Sequence, residues 1–237
     1  MQLEVNIARK AFTNAAGERH DVLVDFNFAL GAGEVGVFVG PSGCGKSTLL
    51  KILVGLDHDY SGRVVRPADA RIGMVFQEPR LLPWRSVEEN VRLAAPQADD
   101  ARLSMLFAVL ELNAHRNHFP GELSLGLARR VALARAFAVE PDLLILDEPA
   151  AGLAHPDVLQ QIDIIRRVHQ RGITIILIEH HMDVVSELCN IVTVLDGGRI
   201  IAEGTPDKVK RHPKVVEAYL GQPVQPELPG GAEPLPA

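Results

Sequence analysis

The chain has 237 residues, 47% apolar and 23% charged, enough for a sizeable globular core. Its net charge is −6 with no lysine or arginine run, so no nucleic-acid partner is expected. Two cysteines exclude a disulfide framework, no apolar run reaches the roughly 18 residues of a membrane span, and no secretory leader is legible; a cytoplasmic setting is expected.

Taken in chain order, residues 2–30 alternate apolar and polar positions. Leu3, Val5 and Ile7 are followed by Val22, Val24, Phe26 and Phe28, with a polar turn over Asn14–Glu18, which predicts strands joined by a turn. Glu34–Val39 is short, apolar and rich in valine, as a buried strand should be. Gly40-Pro41-Ser42-Gly43-Cys44-Gly45-Lys46-Ser47-Thr48 comes next, and then Leu49, Leu50, Ile52, Leu53 and Leu56 at helical spacing over Lys46–Leu56. Strand, glycine-rich loop and helix together form a phosphate-binding loop, in which freed backbone N–H groups and a helix N-terminus cradle phosphate oxygens. In that arrangement Lys46 reaches the β- and γ-phosphates and the Ser47 hydroxyl is a magnesium ligand, so the segment predicts binding of a nucleoside triphosphate.

Ile72–Phe76 reads as a second buried strand ending at Gln77. Between Pro79 and Pro141 the pattern is largely helical; Leu103, Leu106, Phe107 and Leu110 mark one buried face over Ala101–Leu112. His115 and His118 lie close together without a third metal donor at sensible spacing, and read as solvated loop residues. Leu143–Leu146 and Ile173–Ile178 are continuous apolar runs that fit parallel strands covered on both faces. Val192–Ala202, divided by Asp196-Gly197-Gly198, reads as a hairpin. Beyond Leu220, five prolines and three glycines fall within Gly221–Ala237, and a disordered tail is expected over 222–237. One phosphate loop without an internal repeat implies one nucleotide module.

The 143–146 run ends in Asp147-Glu148. A carboxylate at a strand end can hold magnesium beside the phosphates, and the next one can polarise a water as general base.

These motifs, in this order, resemble the ATP-binding subunits of ABC transporters over about residues 3–221. The resemblance implies a RecA-like P-loop NTPase core of α/β class, with an N-terminal antiparallel β-subdomain and an inserted α-helical subdomain over about 79–140. It assigns Gln77 to magnesium and to coupling with a membrane partner, and Asp147 to magnesium. It makes Glu148, His180 and Gln77 catalytic and Phe12 the candidate that stacks on adenine. Leu123-Ser124-Leu125-Gly126-Leu127 occupies the place of the family signature, from which Ser124 and Gly126 contact the nucleotide of a facing subunit. The chain departs from the family at Leu125 (usually glycine), Leu127 (usually glutamine), and Ala154 and His181 (both commonly aspartate).

The resemblance further implies an ATPase using ATP and Mg2+ on the cytoplasmic face of the membrane. It works as a homodimer or with a related ATPase, beside integral permease subunits and a solute-binding protein. Phe76–Trp84 is similar to importers for nitrate, sulfonates and taurine. Glu179–Asp183, Ile201–Pro206 and Glu217–Gly221 are similar to branched-chain amino acid importers. Two alternatives stay open, a soluble ATPase of cluster assembly and a regulatory ATPase of slow turnover.

Overall fold

A computed structural model describes residues 2–220. The tail expectation over 222–237 lies outside the described residues. The strands are β1 (Leu3–Thr13), β2 (Arg19–Leu30), β3 (Val35–Val39), β4 (Ser61–Val65), β5 (Ile72–Val75), β6 (Leu143–Asp147), β7 (Thr174–Ile178), β8 (Ile191–Asp196) and β9 (Arg199–Gly204). The helices are α1 (Lys46–Leu53), α2 (Val87–Ala94), α3 (Asp100–Val109), α4 (Leu125–Ala138), α5 (His155–His169), α6 (Met182–Leu188), α7 (Pro206–Lys210) and α8 (Pro213–Leu220).

The main sheet has the order β5-β6-β7-β3-β8-β9, parallel up to β8 and antiparallel at β9. Alternation along its strands splits the interior into two cores. Val35, Val37, Val39, Leu144, Leu146, Ile175 and Leu177 point to one side, where they meet α2–α5. Phe38, Leu143, Ile145, Ile176 and Ile178 point to the other, against α1 and the antiparallel sheet β2-β1-β4. Helix α1 buries Leu49, Leu50, Ile52 and Leu53 in this second core and leaves Ser47 and Lys51 exposed. Phe26, Phe28 and Phe38 lock the two sheets together with ring centroids 4.8–6.5 Å apart in tilted and edge-on pairs.

The periodic segments form as their spacing predicts, with three differences. In β2 the buried face runs through Leu23, Phe26, Phe28 and Leu30 and not through Val22 and Val24, because the pairing slips between Lys10 and Ala11 and Asp25 takes φ +50°. Helix α1 ends at Leu53, since the N–H groups of Leu56 and Asp57 both return to the Lys51 carbonyl (2.8 and 3.2 Å); Leu56, expected on its apolar face, is exposed. His115 and His118 are half-buried and paired rather than solvated, their Nδ1 atoms 3.0 Å apart. The reason is local: the carbonyls of Arg116 and His118 accept the N–H groups of Glu88 and Val87 (3.0 and 2.9 Å), closing the first turn of α2. That helix also carries a Ser86/Glu89 capping box, which contributes about 1 kcal/mol.

Candidate functional site

The site forms where the chain reverses direction in the sheet. Strand β3 lies between β7 and β8, and the C-terminal ends of β3, β5, β6 and β7 open on one crevice, the usual ligand position in such a sheet. Each strand end delivers one part: the phosphate loop after β3, Gln77 after β5, Asp147 and Glu148 at the end of β6, and Glu179-His180 after β7. A cavity of about 450 Å³ there is lined by Ser42, Gly43, Gly45, Lys46, Ser47, Thr48, Gln77, Asp147, Glu148 and Ile178, with His20 and Val22 from β2.

Gly45 caps α1 with φ +107°, and a Cβ there would meet the Val22 carbonyl oxygen at 2.7 Å, so only glycine fits. A bulge in the β1–β2 pairing sets that contact, because Lys10 faces Leu23 and Ala11 faces Asp21, leaving Val22 unpaired. Lys46 Nζ donates to the carbonyls of Gly40 and Pro41 at 2.7 and 2.9 Å, fixing the cation at the cradle. The N–H groups of the first turn of α1 have no intrahelical acceptor and face an anion by geometry.

Ser47, Gln77 and Asp147 present a set of hard oxygen donors, which suits magnesium. Burial pushes the Asp147 carboxyl above the usual range, as does the neighbouring Glu148 charge, while Lys46 and Arg80 oppose them. Two carboxylates held together in a half-buried crevice favour a bound cation. Glu148 lies in the left-handed region (φ +45°), so its side chain turns back toward the cavity. Its Oε2 accepts from Gln77 Nε2 at 2.8 Å, and its Oε1 lies 3.8 Å from His180 Nδ1.

Two buried charged residues that sequence reasoning did not single out hold this turn. Glu179, 1% exposed, accepts the N–H groups of Ala150, His180 and His181 at 3.0, 2.8 and 3.0 Å. Arg129 of α4 donates to the Glu148 carbonyl at 2.8 Å and to those of Pro149 and Ala151. Arg135, further along α4, donates to the carbonyls of Pro79 and Arg80 at 2.9 and 2.8 Å, bracing the segment after Gln77. Burial lowers the pKa of both arginines. Glu179 carries one available signal, an acid at the end of a strand that is apolar except for Thr174.

Other expected residues stand apart from the cavity. Phe12 does not line it, but its cross-strand partner His20 does, and opposed residues share a face of the sheet. Ser124 caps α4, its Oγ accepting from Leu127 N at 3.2 Å, and Gly126 is buried with the Asp157 carboxylate 3.4 Å from where a Cβ would stand. Leu125 is half-exposed beside them.

Residues 23–151 match the family model described as ABC transporter, and residues 199–224 one described as branched-chain amino acid ATP-binding cassette transporter. The chain is 40% identical over 209 residues to an aliphatic sulfonates import ATP-binding protein, SsuB 1, of Xanthomonas axonopodis pv. citri, covering 82% of this chain and 81% of that one. It is 32% identical over 250 residues to a methionine import ATP-binding protein, MetN, of Ralstonia nicotianae, covering 96% and 71%. A nucleotide-free ATP-binding cassette from an ABC transporter superposes with a TM-score of 0.81 at 27% identity, covering 94% of this chain and all of that one. A dimeric cassette bound to ADP and phosphate after hydrolysis gives 0.75 at 25%, covering 86% and 98%. With its phosphate loop, strand-end carboxylates and sheet order in place, the chain belongs to the ABC transporter family as an ATP-binding cassette, an ATPase.

Proposed function

We propose that this chain is the ATP-hydrolysing subunit of an importer, working as a pair on the cytoplasmic face of a membrane beside a permease and its solute-binding protein. The observation that carries the reading is the convergence of Lys46, Ser47, Gln77, Asp147, Glu148 and His180 on one crevice, in a chain 40% identical to a sulfonate import ATPase. Among the described residues no helix is long and apolar enough to cross a membrane.

Gly40–Thr48 holds the triphosphate, Phe12 stacks on the base, and Ser47, Gln77 and Asp147 hold Mg2+, which when bound offsets phosphate charge. Glu148 Oε1 is the general base; Gln77 and His180 flank it, and His180 meets the γ-phosphate. Ser124 and Gly126, at the N-terminus of α4, face the nucleotide of the second subunit. The Leu82–Ser86 loop is the docking surface for the permease. Buried Asn90 holds it through bonds to the Leu82, Arg85 and Ser86 carbonyls, and it presents a largely exposed Trp84.

A small sulfonate-type anion is the favoured cargo, supported by the SsuB relatives and by the Phe76–Trp84 segment. A branched-chain amino acid is the second reading, favoured by the model matched at 199–224. Glu148→Gln should keep ATP binding, reduce turnover about 10²–10⁴-fold and accumulate an ATP-bound dimer. Unchanged turnover would remove Glu148 from this role. Vesicles carrying this chain with its partner permease, tested with taurine and with leucine, separate the two cargo readings.

A further inference from the structure

We propose that Lys10 is a positioning residue for nucleotide binding, which fixes the Phe12 ring relative to the phosphate cradle. This rests on the reading of Phe12 as the platform for the base and deepens it.

Strand lysines ordinarily keep their ammonium in water. Lys10 is 2% exposed, and its Nζ donates to Asp57 Oδ1 at 2.9 Å and to the Asp59 carbonyl at 2.7 Å, with Asp59 Oδ2 at 3.4 Å. The same nitrogen stands over the Phe12 ring, 4.6 Å from its centroid. Removing an ammonium from water is costly even when it is paired, and an apolar side chain would fill the same space more cheaply. An apolar side chain would not, however, connect the segments that Lys10 connects.

Asp57 and Asp59 come after the C-terminal end of α1, and the Asp57 N–H is fastened to that helix through the Lys51 carbonyl at 3.2 Å. The N-terminal end of α1 is Lys46-Ser47, the phosphate end of the site. The connection therefore runs from the Phe12 ring through Lys10 and Asp57 into α1 and on to the cradle. On the other side, Phe12 pairs across the hairpin with His20, which lines the cavity, so the ring and the cavity wall share one face of the sheet. The ring is 47% exposed. With an ammonium against part of it, the remaining surface is free for a flat aromatic ligand.

The test compares two ligands that share phosphates but not a base, ATP and inorganic tripolyphosphate, titrated by calorimetry into the full-length protein. Lys10→Met should weaken ATP binding by about 3- to 10-fold, the scale of one cation–π contact, and leave tripolyphosphate binding within about twofold. Lys10→Arg should recover most of the loss. Asp57→Asn keeps the lysine but loosens its anchor; it should shift ATP alone in the same direction, and it carries the test where Lys10→Met fails to fold. Parallel loss of both ligands in either variant overturns the proposal, because Lys10 then only supports the fold. So does unchanged ATP affinity in a folded Lys10→Met whose Phe12→Ala counterpart binds ATP weakly. ATP affinity unchanged in Phe12→Ala instead removes the platform reading itself, and this proposal with it.

Discussion

Glu179 offers the sharpest test of how the site is held. Its carboxylate is buried and accepts three backbone N–H groups, one from the turn after Glu148 and two from the His180-His181 segment. In Glu179→Gln the amide oxygen can serve only one side of that arrangement. Placed toward the two histidine N–H groups, it turns its NH2 against the Ala150 N–H and leaves that donor unsatisfied. A buried unsatisfied group costs about 1–3 kcal/mol, and losing the charge from the remaining bonds adds about 1 kcal/mol. Arg129 loses a neighbouring negative charge as well, since Glu179 is the first charge that favours its cationic form. The total, about 2–4 kcal/mol, corresponds to a drop in Tm on the order of 10 °C for a chain of this size. Urea denaturation measures the stability, and steady-state turnover at saturating ATP measures the effect on Glu148 and His180. Turnover should fall by more than the folded fraction explains, because the two segments lose their common tether. A Glu179→Gln variant with wild-type stability and wild-type turnover would refute this account of the site.

On the proposed role of Asp147 as a magnesium ligand, its raised pKa should make magnesium binding sensitive to pH. The carboxylate must be ionised to ligate, and burial together with Glu148 holds its titration above the usual range. Apparent Mg2+ affinity, read by calorimetry in the presence of ADP, should therefore fall with decreasing pH sooner than for an ordinary aspartate, and Asp147→Asn should flatten that dependence. At the signature position, proposed to face the second subunit, Leu125→Gly frees the backbone and should raise ATPase activity. It should also lower stability, by less than the roughly 1 kcal/mol of a glycine inside a helix, since Leu125 is the first residue of α4. A fall in activity measured on equal folded protein would mean that the leucine is fitted to its own partner.

Much of this architecture is legible from spacing alone. The apolar runs at 143–146 and 173–178 read as parallel strands buried on both faces, since Thr174 is the one polar residue in them and it is small and β-branched. The phosphate loop is legible because its glycines, lysine and serine each answer to a separate requirement of the cradle. Strand β4 is not: Ser61–Val65 is largely exposed and is a strand only because β1 pairs with it. Helix α5 is hard to read although Val158, Ile162 and Ile165 recur at helical spacing, because no side chain caps its start at Ala154. Arg129, Glu179 and Lys10 are hidden for one shared reason. A charged residue reads as solvated until tertiary contacts bury it, and each of these partners lies at least 19 residues away or on a backbone carbonyl or amide.

Helix α4 joins parts of the site that the sequence keeps far apart. Its Arg129 grips the carbonyls behind Glu148, and its Arg135 grips those behind Gln77. The two loops are thus yoked to a single rigid rod whose leading end is Ser124. Any slide or tilt of that rod against the sheet carries the water-facing acid and the glutamine together. A displacement of α4 thus bears on both loops through the same helix.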